Sequence, residues 1–162
     1  MTRVQYLREQ QKPVKHLSYD PSGRQLTLSC TDGVIHVYSV DGPEPELVRK
    51  VDGIVRRLES EDQASSAVVW HPDGRAFAAA TATRGMSCPL QCRKLYQLMF
   101  CIEVQVVSKR DWEKQRSFGG QHQGDITSIA WSPNGAMLIT AASDKAMVLW
   151  DTKTQKRLEK YD

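Results

Sequence analysis

The chain predicts an all-β fold assembled from about three units of four short antiparallel strands, and three observations carry that expectation. First, three stretches line up: "LSYDPSGRQLTLSCTDGVIHVYS" from Leu17, "VVWHPDGRAFAAATATR" from Val68 and "IAWSPNGAMLITAASDKAMVLWD" from Ile129. Second, each places Pro-x-Gly between two apolar runs, at Pro21, Pro72 and Pro133. Proline presets φ and glycine accepts the positive φ of a tight antiparallel turn. Third, the flanking runs have strand length and are rich in Val, Ile, Thr and aromatic residues.

The third copy shows the most complete unit. After its Pro-Asn-Gly turn come a second turn at Ser143-Asp144-Lys145, a third strand ending in Leu149-Trp150-Asp151, a turn at Thr152-Lys153-Thr154 and a fourth strand reaching Tyr161. His122 lies 28 residues before Trp150. Four short strands, the third closing on Trp-Asp and preceded by a histidine, resemble one blade of a WD40 β-propeller. That resemblance implies a hydrogen-bonded, blade-stiffening tetrad of His122, Thr140, Asp144 and Trp150. The other copies depart from it, with Tyr38-Ser39 and Val107-Ser108 in place of Trp-Asp. The expectation is a partial propeller over 1–162, with blades at approximately 12–58, 64–120 and 121–162.

The second copy is too long. Pro21 to Tyr38 and Pro133 to Trp150 each span 17 positions, whereas Pro72 to Val107 spans 35. Deleting residues 85–102 removes the 18-residue excess and brings the Pro72 to Pro133 interval from 61 to 43, within the roughly 40–45 residues of a WD40 repeat. Three readings fit the block. It is a loop insertion, which a surface turn tolerates at modest entropic cost, with Leu95, Leu98, Met99 and Ile102 on one helical face for a partner. It is a metal site, although Cys88, Cys92 and Cys101 lack a CxxC pair and a nearby histidine. Or it is a retained intron: Gly85-Met86-Ser87 permits GTATGT, Gln97-Leu98-Met99 permits CTAATG, and Ile102-Glu103 permits a terminal TAG. Splicing would then restore glutamate before Val104. The intron is the expected reading, and no metal or cofactor is expected.

Composition narrows the classes. With 40% apolar and 25% charged residues, the chain has the make-up of one globular domain, and neither a membrane span nor a signal peptide is expected from it. A net charge of +3 is too small to imply nucleic acid by itself. The basic pairs Arg49-Lys50, Arg56-Arg57 and Lys109-Arg110 are nevertheless candidate contacts for DNA or a partner, as is Trp112. No Gly-rich phosphate loop, HExxH or GxSxG is present, so no enzyme is expected. His36, between Ile35 and Val37, is expected to face solvent, and Trp70 and Trp131 to pack between blades.

With the block set aside, "PELVRKVDG", "WHPDGRAFAA" and "SKRDWEKQ" carry a more specific likeness, since WD40 grammar does not require them. Together with "KPVKHLSYDPSG" and "VLWDTKTQKRLEKYD" they resemble the amino-terminal propeller of the DNA polymerase alpha-binding replisome adaptors, the minichromosome-loss or chromosome-transmission-fidelity family, called septation protein B in filamentous fungi. The likeness implies a nuclear, chromatin-associated, non-catalytic scaffold. Its partners would be DNA polymerase alpha-primase and the replicative helicase, and its roles replication, repair and chromosome cohesion. The family's trimerising second propeller has no counterpart before Asp162, so the sequence reads as a fragment expected to be poorly soluble alone. The alternative is a WD40 interaction module of another nuclear or cytosolic complex.

Overall fold

The computed structural model describes residues 13–31, 33–51, 67–83 and 101–162. They form twelve strands in three four-stranded antiparallel sheets. The first holds β1 (Val14–Tyr19), β2 (Gln25–Cys30), β3 (Ile35–Ser39) and β4 (Glu46–Val51). The second holds β5 (Val68–Trp70), β6 (Ala76–Thr83), β7 (Cys101–Ser108) and β8 (Lys114–Gly119). The third holds β9 (Ile126–Trp131), β10 (Met137–Ala142), β11 (Met147–Asp151) and β12 (Arg157–Tyr161). Strands follow chain order within each sheet, the sheets pack in series, and the chain is an all-β partial propeller. No described helix is long and apolar enough to cross a membrane.

The repeated turn sets the register. In each sheet the amide of the turn glycine donates to the carbonyl of the residue before proline, as Gly23 to Asp20, Gly74 to His71 and Gly135 to Ser132 at 2.8–2.9 Å. The three glycines have φ of +70°, +69° and +68°, the left-handed region that penalises a Cβ. The residue before proline also caps the turn with its side chain: Asp20 Oδ1 accepts from the amides of Arg24 and Gln25 at 2.8 Å, and Ser132 Oγ accepts from the Met137 amide at 2.9 Å.

Because the turns are equivalent, the ladders are too. The fifth residue after proline pairs with the end of the third strand in all three sheets, as Leu26↔Tyr38, Phe77↔Val107 and Leu138↔Trp150. The last common pairs are Ser29↔Ile35, Ala80↔Val104 and Ala141↔Met147. The extra length of the second sheet therefore falls wholly between Ala80 and Val104. There the ladder runs on through Thr81↔Glu103, Ala82↔Ile102 and Thr83↔Cys101. Cys101 and Ile102 thus belong to a strand rather than to a turn, while Cys88, Cys92, Leu95, Leu98 and Met99 lie outside the described residues.

Strand alternation sends opposite faces of each sheet to its two neighbours. Thr27, Ile35 and Val37 face the second sheet, where they meet Val68, Trp70, Phe77 and Val107. Ala78, Ala80, Val104, Val106 and Phe118 face the third sheet and meet Ile126, Ile129, Leu138, Val148 and Trp150. On the opposite face of the third sheet Met137 and Met147 are exposed. His36 is only 5% exposed and corrects the expectation of a solvent-facing ring; it stacks on Tyr38 across 6.4 Å.

The turn of each sheet abuts the one before it. A Cβ on Gly135 would collide with the His71 ring, whereas one on Gly23 meets nothing within 4 Å. Gly23→Ala is expected to cost about 1 kcal/mol, from backbone conformation alone. Gly135→Ala adds the collision and is expected to cost roughly 2–4 kcal/mol. Urea midpoints of the two variants check the difference.

Candidate functional site

The four residues expected as a tetrad meet in the third sheet. Trp150 Nε1 donates to Thr140 Oγ1 at 3.1 Å, and Thr140 Oγ1 lies 2.7 Å from His122 Nε2. His122 Nδ1 lies 3.3 Å from Asp144 Oδ2. One proton arrangement satisfies the chain: the indole donates to the hydroxyl, the hydroxyl to Nε2, and Nδ1–H to the carboxylate. Asp144 also accepts from the amides of Gln123 at 2.7 Å and Ala146 at 3.1 Å, which ties the connection between β8 and β9 to the turn between β10 and β11. Burial alone would raise the Asp144 pKa; those two amides and the adjacent His122 ring outweigh it and hold the carboxyl below its ordinary 3.8.

The candidate contact residues are scattered. Arg49 and Lys50 are exposed on β4, and Arg56 and Arg57 lie outside the described residues. Lys109 turns toward the first sheet, with Nζ 3.7 Å from Asp20 Oδ2 and 5.5 Å from the centre of the Trp70 ring. Arg110 is exposed at the turn between β7 and β8. Trp112, at φ +60°, is half-buried against the core between the first two sheets.

What the sequence reading missed is a difference between the two interfaces. Trp70 ends β5 and is buried against the first sheet, its Nε1 donating to Thr27 Oγ1 at 2.8 Å. Trp131 holds the same place at the end of β9, two residues before its proline. On the second sheet, Ala78 stands where Thr27 stands on the first, six residues after proline. The Trp131 Nε1 is sealed from solvent and finds no hydrogen-bond partner among the described residues. Lys109 likewise has Thr152 as its equivalent in the third sheet, since the Lys109 amide bonds the Arg75 carbonyl and the Thr152 amide bonds the Ala136 carbonyl. The long cation that covers Trp70 is thereby replaced over Trp131 by a short side chain.

Thr152 and Trp131 line a groove of about 530 Å³ between the second and third sheets. Its apolar wall includes Val106, Phe118 and Trp131, and Arg75, Arg110 and Arg116 stand along it. His71 packs edge-on against Trp131 at 4.7 Å and pairs with Asp73 at 2.7 Å. Arg116 donates to the Thr152 carbonyl across the interface. No group of metal-ligating side chains occurs among the described residues. The signal was present in the aligned copies, at Ala78 and Thr152, but only the observed register shows which face each residue takes.

The chain carries WD40 repeats: the WD domain, G-beta repeat model matches residues 1–39 and 112–151. Together with three four-stranded sheets, that defines a WD40 protein-interaction module. The chain is 25% identical to Minichromosome loss protein 1 of Schizosaccharomyces pombe, over 88% of this chain and 15% of that protein. It is 22% identical to Protein HIR1 of Kluyveromyces lactis over 91% of this chain and 19% of that one. The FAS2 homolog of chromatin assembly factor 1 from Oryza sativa is 22% identical over 96% of this chain and 29% of its own length. The chain thus spans less than a third of each of these three relatives.

With the folded pKa of Asp144 depressed, its stabilisation is present above the unfolded value and lost as pH falls through the folded one. Asp144→Asn should therefore cost about 1–2 kcal/mol at pH 7. That gap to the parent should close as pH drops below about 4, as urea melts from about pH 7 down to about pH 2.5 would show. Ala78→Thr supplies the acceptor that Trp131 lacks and should stabilise the chain by about 0.5–1.5 kcal/mol, read from the same melts.

Proposed function

We propose that the chain is the amino-terminal interaction region of a replisome adaptor, a non-catalytic nuclear scaffold linking DNA polymerase alpha-primase and the replicative helicase in replication, repair and chromosome cohesion. The observation that carries this reading is the run of family-specific segments, "PELVRKVDG", "WHPDGRAFAA" and "SKRDWEKQ", in a chain that aligns with Minichromosome loss protein 1 over 88% of its length. A scaffold role agrees with the histidines. His16 Nδ1 accepts from the Val68 amide, His71 pairs with Asp73, and His122 sits in the tetrad. In this reading the tetrad stiffens its blade, and the uncovered face around Met137 and Met147 packs on a further blade of a longer protein. Direct contact with DNA or chromatin would fall to exposed cations such as Arg49 and Lys50.

The alignments with Protein HIR1 and with the chromatin assembly factor 1 homolog favour a second reading, a WD40 module of another nuclear or cytosolic complex. Affinity capture of the tagged gene product at its endogenous length separates the two. Recovery of polymerase alpha and helicase subunits is expected; their absence, with a different stable set of partners, would overturn the adaptor reading. The block at 85–102 is proposed as a retained intron. Transcript sequence across codons 72 to 162 decides this: Arg84 joined to Glu103-Val104 supports it, and persistence of the block in mature message makes it a real loop.

A further inference from the structure

We propose that the groove between the second and third sheets is a docking site for an acidic, leucine-containing segment of a partner protein. The inference deepens the interaction-module reading and rests on it. Every described residue that lines the groove lies outside the 85–102 block.

Charge selects the ligand class. Arg75, Arg110 and Arg116 line the groove, and Lys109 borders it. Among the described residues that line it the only carboxylate is Asp73, already committed to His71 and to the Arg75 amide at 2.9 Å. Arg75 and Arg110 form no ion pair among the described residues, although Asp73 and Asp111 lie nearby. An anion is therefore favoured at this edge, and guanidinium forks match carboxylates in pairs of hydrogen bonds.

The backbone argues against a compact phosphate. Phosphate cradles converge several free amides on one point. Here the amides are spent inside the protein: Gly74 on the His71 carbonyl, Lys109 on the Arg75 carbonyl, and Arg110 on Ser108 Oγ. Recognition is left to side chains spread around a partly apolar groove. Carboxylates spaced along a peptide can meet separate arginines while an aliphatic side chain rests on Phe118 and Trp131.

Trp131 adds the adaptable element. Its N–H bonds no described residue, so turning the indole toward a ligand carbonyl or carboxylate breaks no hydrogen bond and supplies a donor with its acceptor. At the other interface this movement would cost the bond from Trp70 to Thr27.

The test is fluorescence anisotropy of the whole chain with a labelled peptide of Glu, Asp and Leu, against the same peptide with Gln and Asn for the acids. Saturable binding of the acidic peptide is expected. Arg75→Ala with Arg110→Ala should weaken it roughly tenfold or more. Lys15→Ala with Arg24→Ala removes the same charge from exposed positions of the first sheet, away from the groove, and should leave affinity within about twofold. Ala78→Thr, which ties down the Trp131 indole, should weaken binding at least about threefold without loss of fold. Absence of saturable binding overturns the proposal, as does equal loss in the two charge-removal variants. So does tighter binding of a single-stranded oligonucleotide, which would give the groove to nucleic acid. A module that recruits partners elsewhere would pass the affinity capture and fail here, so the two readings fail separately.

Discussion

Each sheet is held to the one before it by the aromatic side chain that ends its first strand. Trp70 shows the complete interaction: a nearly buried indole, a hydrogen bond to Thr27, and a cation from Lys109 laid over the ring and paired with Asp20. Truncating a buried tryptophan costs about 3–5 kcal/mol, whereas one sealed, unpaired N–H costs about 1–3. The balance explains why Trp131 can keep its place with its indole N–H unmet. Packing decides the position, and the polar partner decides how firmly the ring is held.

From this difference follows the division of labour between the two interfaces. The first is closed by side chains from both sheets, with Gly74 resting against Pro21 and the His16 ring accepting from the Val68 amide. The second is joined through Phe118 and Trp150, which meet edge to face at 5.8 Å, and through the approach of Gly135 to His71. Between those contacts, however, Thr152 lines the groove at the position from which Lys109 covers Trp70 one interface earlier. A rigid frame with one locally loosened seam is a sound arrangement for recognition, because the ligand need not displace core contacts.

The architecture is legible in the sequence because its signals are local and repeated. Pro-x-Gly places the turns, and equal spacing from Pro21 to Tyr38 and from Pro133 to Trp150 locates the surplus in the second unit. The observed ladders put it in the connection between Ala80 and Val104. One reading fails for a physical reason. Alternation with apolar neighbours sets His36 outside, yet both faces of an inner strand here meet other parts of the protein, so alternation does not separate core from solvent. Lys109 and Arg110 are adjacent in the sequence and both line the groove, with Lys109 also reaching Asp20. The groove itself needs tertiary register. Nothing in the string "AFAAA" reveals that Ala78 joins the interface with Trp131 while Phe77, one position earlier, faces the first sheet.

Hydrogen exchange at the two indoles tests most directly whether the equivalent tryptophans of successive sheets are held differently. In a ¹H–¹⁵N spectrum with the Trp70 and Trp131 indole signals assigned by Trp→Phe variants, the Trp70 N–H should exchange markedly more slowly. Replacing Thr27 by Val should bring Trp70 toward the Trp131 rate. Equal protection of the two indoles in the parent chain, or a Trp131 signal slower than that of Trp70, would contradict the account.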